Sequence, residues 1–353
     1  VNGSPAKAPG SMGMVNALNG ELDLSSTDLA LPSPMMPLVF ARSYRAQDKS
    51  GGPLGPGWDF TYNQRIVEAK NTNVPTGEAI PLVVRESTAL DTRVEAGDLK
   101  LQTGDGRILV FKRAPGTGVP AGYASDPLLT SLVGAAPNCV YYLPPSGIFD
   151  AMVRFGTHGS FLRQTPNGTQ YKYDPSGRLT DVHAPFPANH HQVVLNDLGE
   201  IDAIVDRSIS TLRKIEIGYY RERSDPRFRA SQDIAPENAG GLYKIARVIR
   251  VTGNSAHGDA LFHYDDYGQL IAVDGVELAH VDPDGFQGRR RINYSWTSGV
   301  ITGVAGADAN GAVLLANTGS TPEVGSDAVG ADGPVVGAPT PGNVARQLSN
   351  ATS

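Results

Sequence analysis

The sequence predicts an all-β protein built from antiparallel hairpins. Apolar residues recur at every second position in many short stretches, as they do in strands with one buried face. Forty-one glycines and 26 prolines among 353 residues exceed the usual share, which favours turns over long helices. A unit of strand, glycine turn and strand also recurs through the middle of the chain. We therefore expect hairpins that stack side by side into one large sheet.

The opening region, residues 14–70, follows an arm, residues 1–13, whose Gly, Ser, Ala and Pro content predicts flexibility. Apolar residues spaced by two predict strands that begin near Leu22, Leu29 and Leu38. Three prolines in the stretch LPSPMMPL separate the last two strands, because proline cannot donate a hydrogen bond within a central ladder. The three strands lead the chain to a corner.

The motif PLGPGWDF forms this corner. Gly55 and Gly57 are expected to let the chain turn closely, and Trp58 to bury a large ring that holds the opening region against the following hairpins. The incoming strand ends at Tyr44, and an aromatic strand is expected from Trp58 to Ile66. We assign the corner a structural role without chemistry.

Hairpin units follow the corner. Residues 98–114 predict one hairpin, with Gly-Asp-Gly at its turn. Three further units between residues 147 and 220 align on Gly159, Gly177 and Gly199. Each unit has one apolar face and two edges that only a neighbour can satisfy, so the units are expected to stack.

Two stretches, YKYDPSGRL and FHYDDYGQL, share a tyrosine, an aspartate and a glycine around a turn. We expect the tyrosine to pack on a neighbouring strand and the aspartate to accept hydrogen bonds from turn amides. The glycine is expected to adopt a conformation that a side chain would obstruct. The residues to which we assign these structural roles are Tyr173, Asp174, Gly177, Tyr264, Asp265 and Gly268.

The elements VN, NGEL, TDLALP, PLVFARSY and GPLGPGW follow one another across about fifty residues. This order resembles the opening segment of the core in Rhs and YD-repeat proteins, the bacterial relatives of teneurins and of the BC component of insecticidal toxin complexes. The two tyrosine-aspartate stretches resemble the YD repeat itself. The resemblance implies a curved, spiralling sheet of hairpins, which we expect here as an open strip belonging to a shell around a toxic C-terminal cargo.

The remaining chain divides by composition. Residues 71–305 form the expected hairpin and YD-repeat region, with a polar loop inserted near residues 221–241. Residues 306–353 are rich in Gly and Ala and predict a flexible tail.

Several function classes are excluded by composition. A net charge of −6 without a basic stripe argues against nucleic acid as a partner. No run of 18 apolar residues is present, so no transmembrane segment is expected. A single cysteine, Cys139, excludes an internal disulfide, and its apolar neighbours predict a buried side chain.

The candidate chemistry is sparse. His183, His190 and His191 match no common ligand spacing, so we expect a solvated loop there and neither a metal nor a cofactor. The stretch DPDGFQG, which begins at Asp282, resembles the DPxGxxGG motif at which Rhs cores cleave themselves, and Asp282 is the one candidate catalytic residue. The alternative for this stretch is an ordinary β-turn. No enzymatic function is otherwise expected.

The expected function is structural: the chain forms part of an Rhs shell that encloses and delivers a toxin in bacterial competition or pathogenesis, through type VI or related secretion. Its partners would be the remainder of the shell and the cargo. The alternative is a short YD-repeat protein of the cell surface that binds carbohydrate or a protein partner, and a third possibility is an enzyme on a β scaffold. A secreted or cell-surface location is expected, although the first residues lack the features of a signal peptide. Exposed strand edges would favour self-association.

Overall fold

The computed structural model describes residues 12–15, 22–33, 36–48, 51–69, 97–116, 139–156, 159–185, 189–275, 289, 291–307 and 313–316. Within these residues the chain forms 23 β-strands and a 3₁₀ turn at Ala239–Gly241. The predicted all-β class and the antiparallel hairpins are confirmed. No helix in these ranges is long and apolar enough to cross a membrane.

The strands are β1 (Met12–Val15), β2 (Leu22–Leu31), β3 (Leu38–Arg45), β4 (Gly51–Gly52), β5 (Gly55–Pro56), β6 (Trp58–Phe60), β7 (Arg65–Glu68), β8 (Leu99–Gln102), β9 (Ile108–Arg113), β10 (Cys139–Leu143), β11 (Ala151–Phe155), β12 (Phe161–Gln164), β13 (Gln170–Tyr173), β14 (Leu179–His183), β15 (His190–Leu195), β16 (Ile201–Asp206), β17 (Arg213–Tyr219), β18 (Ile245–Thr252), β19 (Ser255–Tyr264), β20 (Leu270–Asp274), β21 (Arg291–Thr297), β22 (Val300–Ala307) and β23 (Val313–Ala316).

The opening region forms a four-stranded sheet in the order β1-β2-β3-β6. Its first long strand is unbroken, so the predicted division between strands near Leu22 and Leu29 is wrong. A bulge between Thr27 and Leu29 shifts the alternation of side chains by one residue. Because of this shift, Leu24 and Leu31 are both buried although an odd number of positions separates them.

The strand predicted from Trp58 to Ile66 is also wrong, because it is two strands that belong to different sheets. β6 pairs with β3 in the opening sheet, and β7 pairs with β8 in the large sheet. Between them the Asn63 amide donates a hydrogen bond to the Phe60 carbonyl at 2.9 Å, which closes a turn.

The hairpins form one antiparallel sheet of seventeen strands. Strands β10 to β23 lie in chain order, and the order closes on itself through β7, β8 and β9, which differs from the open strip that we expected. The hairpin predicted over residues 98–114 is β8 and β9.

The opening sheet packs against strands that are far apart in the large sheet. The Phe40 ring of β3 lies 6.0 Å from the Phe262 ring of β19, and the Asp59 carboxylate of β6 accepts a hydrogen bond from Gln102 of β8 at 2.7 Å. Residues of both sheets share one buried apolar cluster. The opening sheet therefore lies on the inner face of the closed hairpin sheet.

Three expected boundaries differ from the observed elements. The first is the arm expected over residues 1–13, because β1 already begins at Met12. The polar stretch 221–241 lies between β17 and β18, but Arg221 and Asp233 within it are buried and hold it against the sheet. β18 begins at Ile245, after this stretch. Towards the C-terminus, β22 reaches Ala307 and pairs with β23, so the ladder continues past the expected start of the tail.

Candidate functional site

The corner lies directly against the turn of the stretch FHYDDYGQL, which we call the second YD (Tyr-Asp) turn. A Cβ atom on Gly55 would lie 2.5 Å from the Gly268 carbonyl oxygen, so the two backbones are in contact. Both glycines have positive φ, 94° and 75°. The Ile245 amide donates to the Pro53 carbonyl at 2.8 Å, and the Tyr264 hydroxyl donates to the Ile245 carbonyl at 2.9 Å. The corner is thereby docked on β18 and on the β19–β20 turn.

Gly57, the second glycine of the corner, leaves room for the Tyr44 ring. Gly57 has a φ of 73°, and a Cβ atom there would lie 2.7 Å from the Tyr44 ring. Tyr44 is buried, and its hydroxyl accepts a hydrogen bond from the Ile301 amide at 3.1 Å. The absence of a side chain at Gly57 therefore lets Tyr44 link β3 to β22.

The turn of the stretch YKYDPSGRL, which we call the first YD turn, holds the start of β7 through a similar glycine contact. The Ile66 amide donates to the Gly177 carbonyl at 2.7 Å, and the Tyr173 hydroxyl donates to the Gln64 side chain at 3.0 Å. Gly177 has a φ of 80°, and a Cβ atom there would lie 1.9 Å from the Ile66 carbonyl oxygen. Both YD turns thus contact the opening region through a glycine.

The turn aspartates accept hydrogen bonds from backbone amides. The Asp174 carboxylate accepts from the Arg178 amide at 2.9 Å. The Asp265 carboxylate accepts from the Tyr267 and Gln269 amides at 3.0 and 2.8 Å. These bonds satisfy amides that the turns leave outside the strand ladders.

Replacing Gly177 with alanine is expected to lower the free energy of unfolding by about 2–3 kcal/mol, of which about 1–2 kcal/mol is the cost of positive φ. The remainder is the contact with the Ile66 carbonyl. Gly253→Ala is the matched control, because Gly253 also has positive φ but a Cβ atom there would meet no other atom within 4 Å. Urea denaturation measures both. Equal losses would show that the contact with the opening region contributes nothing.

A buried ion pair that the sequence analysis missed lies beneath the corner. Arg42 is fully buried, and its Nε donates to the Asp28 carboxylate at 2.7 Å. One Nη donates to the Tyr294 hydroxyl at 2.6 Å, and the guanidinium lies 4.7 Å from the Trp58 ring centre. Burial alone would lower the pKa of Arg42, but Asp28 and Tyr294 raise it above its ordinary value. The sequence does contain a signal for the burial of Arg42, because Arg42 alternates with Phe40 and Tyr44 on the buried face of β3.

Asp59 is a second buried charged residue at the corner. Its carboxylate accepts hydrogen bonds from the Phe60 amide at 2.8 Å, from Asn63 at 2.8 Å and from Gln102 at 2.7 Å. Burial nevertheless raises the pKa of Asp59 to about 7. The group connects β6 to β8 and changes its charge near neutral pH.

Asp59 is expected to make stability depend on pH. Between pH 3.8 and about 7 the folded protein keeps a proton on Asp59 that the unfolded chain releases. The contribution of Asp59 to the free energy of unfolding is therefore complete below pH 3.8 and is lost as the pH rises to about 7. From about pH 7 to about pH 5, wild type should gain about 2 kcal/mol relative to Asp59→Asn. Urea denaturation across this range measures the difference, and parallel pH profiles would contradict it.

The prediction of a loop at the histidines is wrong, because His183 ends β14 and both His190 and His191 begin β15. His191 is buried, with one ring nitrogen 3.0 Å from the Tyr62 hydroxyl and the other 3.1 Å from the Met36 carbonyl. Since a carbonyl only accepts, the nitrogen that faces Met36 carries the proton. Burial lowers the pKa of His191.

The structure places the other candidate residues as follows. The prediction that Cys139 is buried is confirmed, and burial raises the pKa of its thiol. Asp282 lies outside the described residues. Across the described ranges, no group of three or more His, Cys, Asp or Glu side chains could hold a metal ion.

A groove of about 450 Å³ opens beside the second YD turn. We call it the Tyr267 groove, and its lining includes Asp265, Tyr267, Gln269, Trp296, Ser298 and Gly299. The Trp296 indole donates to the Leu270 carbonyl at 2.8 Å, which fixes the floor. Tyr267 is 85% exposed. The sequence carries one signal for this groove, the tyrosine inside a YD turn, but predicts no binding role for Tyr267 or Trp296.

Comparison with known proteins bears mainly on the opening region. Residues 13–79 match the family described as Domain of unknown function (DUF6531). The Bifunctional protein GlmU of Shouchella clausii (strain KSM-K16) is 26% identical over 172 residues, which is 46% of this chain and 37% of that protein. The chain therefore spans little more than a third of the length of this relative.

Proposed function

We propose that the chain is a structural part of an Rhs/YD-repeat shell that encloses and delivers a toxic cargo. The observation that carries the proposal is the docking of both YD turns on the opening region, through Gly177 at Ile66 and Gly268 at Gly55. The YD turns and the opening region, which both resemble parts of Rhs/YD-repeat proteins, thus contact one another. In this role the chain performs no catalysis.

The position of the opening sheet supports a specific place in the shell. The sheet packs against the hairpin sheet through contacts such as Phe40 to Phe262 of β19. In the proposal, it closes one end of the enclosure, and the hairpins form part of the wall around the cargo. The partners are the remainder of the shell and the cargo, in a protein exported by a bacterium.

Limited proteolysis of the complete gene product tests this role. We expect a resistant body that contains this chain and shields a C-terminal segment, and electron cryomicroscopy of that body should show a hollow wall. Cargo that is digested as fast within the gene product as in isolation would contradict the proposal.

A second candidate function is a cell-surface YD-repeat protein that binds carbohydrate or a protein partner. The observation that favours it is the Tyr267 groove, because an aromatic side chain that is 85% exposed beside polar groups is typical of a binding surface. A soluble-ligand binding measurement on this chain tests the second candidate independently of the proteolysis.

A further inference from the structure

We propose that the Tyr267 groove binds one pyranose ring of a neutral glycan, with the ring stacked on Tyr267. The inference rests on the second candidate function and assigns to it a site and a ligand class. Four properties of the groove support it: an aromatic platform, unpartnered polar groups, the charge of the lining and a rigid floor.

The platform side chain is exposed, and the backbone that carries it is held in place. Tyr267 lies at the tip of the β19–β20 turn, and its amide donates to the Asp265 carboxylate at 3.0 Å. The turn is further closed by the Gly268 amide, which donates to the Asp265 carbonyl at 3.0 Å. The aromatic face is thus presented to solvent on an ordered turn, which lowers the entropy cost of binding. The C–H face of a pyranose is apolar and matches such a ring.

Polar groups with free hydrogen-bonding capacity surround the platform. Within the described residues, we find no hydrogen bond from the Gln269 amide group or the Ser298 hydroxyl. Asp265 uses one carboxylate oxygen for the Tyr267 and Gln269 amides, which leaves the other oxygen available. Carboxylate and amide groups can each bind two neighbouring hydroxyls, and sugar rings carry hydroxyls in that arrangement.

The charge of the lining selects among ligands. The groove has one carboxylate, Asp265, and no basic side chain among the described residues that line it. Phosphate, sulfate and uronic acid groups need cationic partners, so the lining disfavours them. Its volume of about 450 Å³ lies within the usual range for small-ligand sites, roughly 300–1,000 Å³.

The floor and the rim are rigid. The Trp296 ring meets the Tyr44 ring at 5.6 Å and 90°, beneath the groove. At the rim, Ser298 has a φ of 51° within the two-residue turn between β21 and β22, a conformation that is uncommon outside glycine. The turn places Ser298 in the lining of the groove.

Saturation-transfer NMR and calorimetry on this chain test the inference. The probes are methyl β-glucopyranoside, methyl α-mannopyranoside and chitotriose, with a heparin disaccharide as the charged comparison. We expect at least one neutral probe to bind, with Tyr267→Ala weakening it about tenfold because the stacking contact is lost. Tyr267→Phe should retain binding, since it keeps the aromatic face.

Phe149→Ala is the matched control, because Phe149 is 75% exposed on a different hairpin and should not affect binding. Saturation transfer from no neutral probe, preference for the heparin disaccharide, or equal binding by Tyr267→Ala would each overturn the assignment. Such a result would leave the proteolysis test of the shell unaffected, so the two proposals fail separately.

Discussion

Replacing Trp58 with alanine is expected to lower the free energy of unfolding by about 3–5 kcal/mol. Trp58 is 2% exposed, and its ring lies 5.3 Å from the Tyr44 ring and 5.1 Å from the Tyr294 ring. The Arg42 guanidinium also lies over it, at 4.7 Å. Removing the indole leaves a cavity between the opening sheet and β21, because these neighbours are held by other contacts and cannot close the space.

Urea denaturation followed by circular dichroism measures this loss. Fluorescence is unsuitable, since the chain has only two tryptophans and the variant removes one. Trp296→Ala makes the same change at a half-buried site and should lower the free energy of unfolding by clearly less. If the two variants lost equal stability, or if Trp58→Ala left the midpoint unchanged, Trp58 would not be the anchor of the opening region.

Replacing Arg42 with methionine is expected to cost about 3–5 kcal/mol, because it leaves the Asp28 carboxylate buried without its partner. The side chain of Asp28 is 4% exposed, so water cannot replace the guanidinium. The Tyr294 hydroxyl loses its donor in the same step. The variant should therefore loosen the contact between the opening sheet and β21.

A double-mutant cycle separates the ion pair from packing. Asp28→Asn and Arg42→Met together should cost less than the sum of the two single changes, since the double variant leaves no unpaired buried charge. Arg45→Met is the control, because Arg45 lies 3.6 Å from Asp23 in a partly exposed pair, and it should cost about 1 kcal/mol or less. Additive losses in the cycle would show that Asp28 and Arg42 do not act as a pair.

These predictions concern one structural feature, the docking of the opening sheet inside the hairpins. The sheet shares no ladder hydrogen bonds with the large sheet within the described ranges, so side chains such as Trp58 and Arg42 hold the two together. The YD turns add backbone contacts to neighbouring parts of the opening region, from Gly177 to Ile66 of β7 and from Gly268 to Gly55 of β5. In the proposed shell, weakening either set should open the enclosure before the hairpins themselves unfold.

Local features could be predicted from the sequence alone. Alternating apolar residues identified hairpins such as residues 98–114, because a strand with one buried face has a side-chain period of two. Turn chemistry depends on a few adjacent residues. It therefore predicts the positive φ of Gly177 and Gly268, and also the hydrogen bonds that Asp174 and Asp265 accept from backbone amides.

The sequence alone did not reveal which faces of the strands pack against one another. The bulge beside Asp28, the end of β6 at Phe60 and the burial of His191 depend on partners that are distant along the chain.

The sequence by itself therefore determined the class of fold, the turns and the residues that resemble a YD-repeat protein. Only the tertiary structure decided that the opening sheet lies inside the hairpins, that Arg42 reaches Tyr294 across 252 positions, and that Tyr267 and Trp296 border one groove. The physical reason is that periodicity and turn chemistry are local, whereas the pairing of buried faces and charges is determined by long-range packing.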